Sequence, residues 1–144
     1  MNKFGSVSIA LALVASLMGP NPSSAAGALA VGTTGNIARD GIAVNSIVNA
    51  PSEKSAGDQV LDACRKNTTV APEGRAACQI VETFTRKCIV IAYDPQPGTP
   101  GEGWSIDPDK TTAETHAMAN CRATAGPDRR AFCEIARSVC DTHD

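Results

Sequence analysis

Pro51 to Arg65 reads PSEKSAGDQVLDACR, and Pro108 to Arg122 reads PDKTTAETHAMANCR. The two stretches stand 57 positions apart and keep residue type at matching places. Pro51 falls on Pro108, Ala56 on Ala113, Val60-Leu61 on Ala117-Met118, and Cys64-Arg65 on Cys121-Arg122. A run that holds type and spacing in this way is an internal repeat, and two copies suit a pseudo-symmetric domain better than a solenoid. Ala56, Val60 and Cys64 recur at i, i+4 and i+8, as do Ala113, Ala117 and Cys121. That spacing lays each set along one stripe of a helix. The stripes are made of small residues, so each helix can sit close to whatever it covers. Ser52 and Asp109 are candidate N-caps, since a short side-chain oxygen accepts from the free N–H groups of a first turn. Thr111 and Glu114 offer an alternative capping box in the second copy.

Outward from the helices the sequence turns β-rich. Ala28 to Val31 and Gly41 to Val48 are short apolar segments parted by turn residues at 32–35 and 39–41. Cys78 to Phe84 is β-branched. Cys88 to Tyr93 is almost continuously apolar, as expected of a central strand covered on both faces. Thr85-Arg86-Lys87 is short enough to predict a hairpin between these two strands. Asp94 to Gly103 (DPQPGTPGEG) is a Pro/Gly-rich loop, Trp104 to Ile106 a short strand, and Phe132 to Cys140 the last one. The predicted order is β-β-α-β twice, over pseudo-repeats of about 27–87 and 88–144. The fold class is α+β, a mainly antiparallel sheet packed by two helices. The 57-residue offset also sets Ile47 on Trp104.

The N-terminus has the order of a signal peptide: Lys3, then the apolar run Val7 to Met18, then Gly19-Pro20-Asn21-Pro22 as a breaker. The apolar run is about a dozen residues, too short for a bilayer span of roughly 20. Ser24-Ala25-Ala26 supplies small residues for cleavage after Ala26, and Ala28-Leu29-Ala30 is a second candidate site. The first Cys is Cys64, far from either site, which argues against a lipid anchor. The expected mature domain, 27–144, holds about 118 residues and a net charge of −3. That balance gives no basic footprint for nucleic acid or an anionic membrane, and no second apolar stretch is long enough to cross a bilayer. The large rings of this domain are Phe84, Tyr93, Trp104 and Phe132. A core otherwise made of Ala, Val and Ile buries little area per residue, at about 25 cal/mol per Å².

Six cysteines supply covalent help. In an exported chain an even count reads as a disulfide framework. No Cys-x-x-Cys occurs and neither His flanks a Cys at zinc spacing. Cys64 and Cys121 each end a helix stripe, and Cys78 and Cys133 each open the strand that follows. The repeat therefore pairs Cys64 with Cys78 and Cys121 with Cys133. Cys88 and Cys140 remain, and are expected to meet across the pseudo-twofold and tie the two copies together. Each pair should place its Cα atoms roughly 4.4–6.8 Å apart.

Several features together resemble the bacterial exported proteins grouped as domain of unknown function 4189. They are Gly27-Ala28-Leu29-Ala30, the Ala-rich helix ending at Cys64, Cys78-Gln79-Ile80-Val81 leading to Phe84, and Cys88 before Val90-Ile91-Ala92-Tyr93. Gly103-Trp104, the second helix ending at Cys121, and Cys133 with Cys140 complete the set. The resemblance implies an exported domain and carries no catalytic residue. The long Pro/Gly loop before Trp104 departs from the pattern.

No residue set demands a catalytic or metal role. His116 lies on the second helix with Glu114 and Asp109 nearby, and could serve as a base if a carboxylate oriented it. Its repeat-mate is Gln59, which reads as helix surface. His143 is next to the end of the sequence, where chains fray. Asp94, Glu102, Asp107 and Asp109 flank the Pro/Gly loop, but their spacing matches no calcium loop. Arg86-Lys87 reads as a solvated turn, and Trp104 as a core anchor. The expectation is an exported, non-catalytic module without cofactor, binding a protein or a cell-envelope component. The alternative is a small secreted hydrolase acting on envelope polymers through two carboxylates.

Overall fold

The computed structural model describes residues 25–142. The expected signal segment up to Ser24, and His143, lie outside the described residues. The strands are β1 (Ala26–Gly32), β2 (Ala43–Ala50), β3 (Gln79–Phe84), β4 (Cys88–Tyr93), β5 (Glu102–Asp107) and β6 (Glu134–Cys140). The helices are α1 (Ile37–Asp40), α2 (Glu53–Arg65), α3 (Pro72–Ala76) and α4 (Lys110–Thr124), with a 3-10 turn at Arg130–Phe132 before β6. The β-β-α-β order occurs twice.

All strand pairs are antiparallel, and they divide into two three-stranded sheets, β2-β1-β3 and β5-β4-β6. The small-residue stripe of α2 (Ala56, Val60, Cys64) buries against Ala26, Ala28 and Ala30 on one face of the first sheet. The stripe of α4 (Ala113, Ala117, Cys121) buries against Cys88, Val90 and Ala92 of the second. The other two sheet faces meet through Leu29, Val31, Phe84, Ile89 and Ile91, with Trp104 partly buried beside them. The layers run helix, sheet, sheet, helix. β1 is buried throughout and β4 throughout except Tyr93, because each is the middle strand of its sheet between two apolar layers. Ser52 and Asp109 cap the helices, accepting from Ser55 N–H at 3.1 Å and Thr112 N–H at 2.9 Å.

The repeat extends to irregularities. In β3, Leu29 pairs with Glu82 and Ala30 with Ile80, leaving Val81 as a bulge. In β6, Ile91 pairs with Arg137 and Ala92 with Ile135, leaving Ala136 as a bulge at the equivalent place.

Several expectations require correction. Cys78–Phe84 and Cys88–Tyr93 form no hairpin: β3 pairs with β1, while β4 pairs with β5 and β6. Residues 85–87 carry the chain from one sheet to the other. Their polar groups are used elsewhere: Arg86, at φ 52°, donates its N–H to the Asp141 carboxylate at 3.0 Å, and Lys87 C=O accepts from Asp141 N–H at 2.8 Å.

The disulfides are Cys64–Cys78, Cys121–Cys133 and Cys88–Cys140, with Cα separations of 6.0, 6.1 and 3.8 Å. The pairs are those the repeat predicts, but Cys88–Cys140, at 3.8 Å, stands closer than the expected span and does not tie the copies together. Cys88 and Cys140 are direct cross-strand partners on β4 and β6, within the second sheet. The two copies are held by the apolar layer between the sheets and by Asp141. This buried carboxylate accepts from Arg86 N–H in the link and from Asn49 N–H, 2.9 Å away in the first copy.

Ile47 and Trp104 are not equivalent either. Ile47 packs on the α2 side and Trp104 between the sheets. β2 takes one extra residue near Asn49, which sits at φ 60° where the β1 register shifts. That bulge makes the strand offset 58 while the helix offset stays 57, so Trp104 corresponds to Ser46.

β1 also begins earlier than expected. Ala26 is fully buried and pairs with Ala50.

Candidate functional site: the groove at the loop end of the sandwich

An open groove of about 620 Å³ lies where the Pro/Gly loop meets the ends of both sheets. Its walls include Ile42 and Val44 from the first copy, Tyr93 and Glu102 from the second, and the loop itself from Pro95 to Thr99. Loop placement depends on an ion pair. Asp94 is buried and accepts two bonds from the Arg129 guanidinium, at 2.6 and 2.5 Å. Those bonds hold the Asp94 carboxyl down at about 2, against the opposing effect of burial. Arg129 in turn stacks on Phe132, 4.2 Å from its ring centroid. Gln96 N–H also bonds Asp94, at 3.1 Å, and the Asp94 N–H reaches Gly101 C=O at 2.8 Å. A flexible-looking sequence is thus closed into a braced loop.

Glu102 is the one loop-flanking acid that enters the groove without such a partner. It pairs across the sheet with Tyr93, one of the few large apolar side chains left exposed. Its backbone N–H and C=O are both engaged by the Thr124 hydroxyl, at 2.9 and 2.8 Å. The carboxyl itself is raised to about 7, because burial penalises its charged form.

The other sequence candidates are drawn into structural roles. Asp107 accepts from Ser105 Oγ at 2.5 Å and lies 3.1 Å from His116 Nδ1; the Ser105 bond leads in holding its pKa down. His116 is about half exposed. The carboxylate beside it is Asp107 and not Glu114, which accepts from Ser138 at 2.8 Å. Ser105 and His116 both address the same carboxylate, so no serine–histidine relay forms. Asp109 caps α4 and is held low first by Thr112 N–H. All six Cys are disulfide-bonded. Among the described residues, no cluster of His, Cys, Asp and Glu could hold a metal ion, and no helix is long and apolar enough to cross a membrane.

Two buried acids escaped the sequence reading, Asp40 and Asp141. Asp40 accepts from Arg39 at 2.5 Å and from the Thr34 hydroxyl; the Arg39 bond leads in lowering its pKa to about 2. A Thr, Arg and Asp around a Gly look like any turn, so nothing local marks them.

The family model described as Domain of unknown function (DUF4189) matches residues 26–140. The chain belongs to this family. In this member, the DUF4189 match opens at the first residue of β1 and closes on the last Cys of β6, so it spans both copies and all three disulfides. No curated protein and no solved structure matches the chain significantly.

Proposed function

We propose that this protein is an exported, non-catalytic recognition module that takes up a chemical group of a protein or envelope partner in the groove at the loop end. The carrying observation is the groove's construction. A braced loop, an exposed Tyr93 and an unpartnered Glu102 face one concave space of about 620 Å³. Such sites join apolar lining to a few placed polar groups on a rigid scaffold. Three disulfides support export, since such bonds persist in oxidising compartments. A signal cut ahead of Ala26 would keep β1 whole. Against the hydrolase reading stands the fate of the loop carboxylates. A two-carboxylate mechanism needs a second free acid, and Asp94, Asp107 and Asp109 are each committed to partners.

The test uses immobilised mature protein and its Tyr93→Ala/Glu102→Gln variant as baits against an envelope extract. A partner retained by the wild type and lost by an equally stable variant is the expected result. Equal retention by both overturns the groove as the binding face. Release of soluble fragments from peptidoglycan by the purified wild type would overturn the non-catalytic reading.

A further inference from the structure

Four strands lie at sheet edges: β2, β3, β5 and β6. An edge strand exposes unpaired N–H and C=O groups, and proteins blunt such edges with bulges, charges or cover. Three of the four are blunted. β3 carries the Val81 bulge and Glu82; β6 carries the Ala136 bulge, Glu134 and Arg137. β5 carries Glu102 and Asp107, and α4 covers its outer side. Asn120 Nδ2 donates to Trp104 C=O at 2.9 Å, and Thr124 takes both groups of Glu102. The match is geometric, since four helical residues rise about 6 Å and two strand residues about 6.7 Å.

From Ala43 to Val48 β2 has none of these devices; its one bulge lies beyond them at Asn49, whose N–H is taken by Asp141. The β2 sequence, AVNSIVNA, contains no charge, and its pairing with β1 is unbroken from Ala43 to Ile47. The repeat-mate of Asn120 is Ala63, which has no donor. The mate of Thr124 is Asn67, whose side chain is bonded to Thr69 instead. α2 also packs over β1 and β2 together, whereas α4 leans chiefly over β5. By the repeat, Val44 and Ser46 correspond to Glu102 and Trp104, so their backbone groups point away from β1, as do those of Val48.

We propose that β2 is a self-association edge, on which a second copy of this chain adds its own β2 antiparallel. The occupant follows from self-complementarity. A twofold axis through Ser46 pairs Ser46 with Ser46 and Val44 with Val48, so all three outward-facing residues meet outward-facing partners. Valines stand opposite valines, and no like charges are brought together. Symmetric pairing of β3 or β6 would bring a bulge into the contact, and β5 lies under α4. The product is one six-stranded sheet in the order β3-β1-β2-β2-β1-β3. The contact is short relative to a standard interface, so association depends on concentration.

Sedimentation of the oxidised, mature protein over a wide concentration range tests the proposal, together with amide hydrogen exchange. The weight-average mass should climb toward twice that of the monomer. Protection should rise with concentration at Val44, Ser46 and Val48, and not at Asn45 or Ile47, which already face β1. Ser46→Pro removes one outward donor and is a substitution edge strands tolerate; it should abolish the rise in mass while the monomer stays folded. A monomer at all concentrations, or concentration-dependent protection on β3, β5 or β6 instead, overturns it. The exchange pattern of the wild type decides the matter even if the proline variant does not fold.

Discussion

In the first copy the cross-strand pair beneath the sheet is Gly27 and Phe84; at the same place in the second it is Ile89 and Val139. The Phe84 ring occupies the space over Gly27, where a Cβ would fall 2.2 Å from it. The second copy divides the same volume between two branched residues. A similar exchange separates helix from strand. Gly103 on β5 lets α4 close in, since its Cβ would stand 2.3 Å from Cys121 N. Its mate on β2 is Asn45, whose buried Oδ1 has no partner. The first copy has one disulfide and an uncovered edge. The second has two disulfides and a covered one. One topology is thus closed twice by different means, and the second copy is the more firmly stapled.

The Gly27–Phe84 pair offers the largest break. Phe84→Ala should cost about 3–5 kcal/mol, the range for a buried ring truncated to methyl. Gly27→Ile alone should also destabilise strongly, by driving a side chain into the ring. The double variant Gly27→Ile/Phe84→Val transplants the second copy's solution and should cost less than the sum of its parts, as read by denaturant unfolding. Simple additivity would show that the two positions are not equivalent.

Next in size are the staples. Cys88–Cys140 spans 52 residues, against 14 for Cys64–Cys78 and 12 for Cys121–Cys133. In the chain-entropy model, replacing the first pair by alanine costs about 4 kcal/mol and either of the others about 3. Unfolding of the three paired variants under non-reducing conditions checks the order. A larger loss from Cys64–Cys78 would mean that the first copy depends more on its single bridge.

The smallest effect sharpens the contrast between Glu102 and its mate Val44. Folding raises the Glu102 carboxyl from 4.5 to about 7, so the folded state holds its proton longer than the unfolded state does. Stability should therefore fall as pH rises from about 4.5 to about 7, then level off. Glu102→Gln should remove that decline and add on the order of 1–2 kcal/mol above pH 7, allowing for partial exposure. Asp94 and Asp40 act in the opposite sense. Held at about 2, they contribute stability above the ordinary carboxylate range that is lost as pH falls toward 2. Thermal melts of wild type and variant across this range separate the two slopes.

The groove was only half legible. Its Pro/Gly loop and its acids stand out in the sequence, but the partner that braces the loop, Arg129, lies 35 residues beyond Asp94. Which acid stays free depended on that distant pairing, and no spacing rule reports it. The same holds for Asp141, whose two donors lie 92 and 55 residues away.

The sequence by itself determined the repeat, both helices with their caps, the strand order and the three disulfide pairs. These follow from local periodicity, capping chemistry and equivalence between copies, all of which are written along the chain. Only the tertiary structure decided that six strands form two sheets, that residues 85–87 bridge them, and that Cys88–Cys140 closes one copy instead of joining two. β4 has the same near-continuous apolar sequence whether its neighbour is β3 or β6. Which strand it pairs with is settled by burying both its faces at once while Asp141 takes up the polar groups of the link. That choice involves residues far apart in the chain, so no local pattern encodes it.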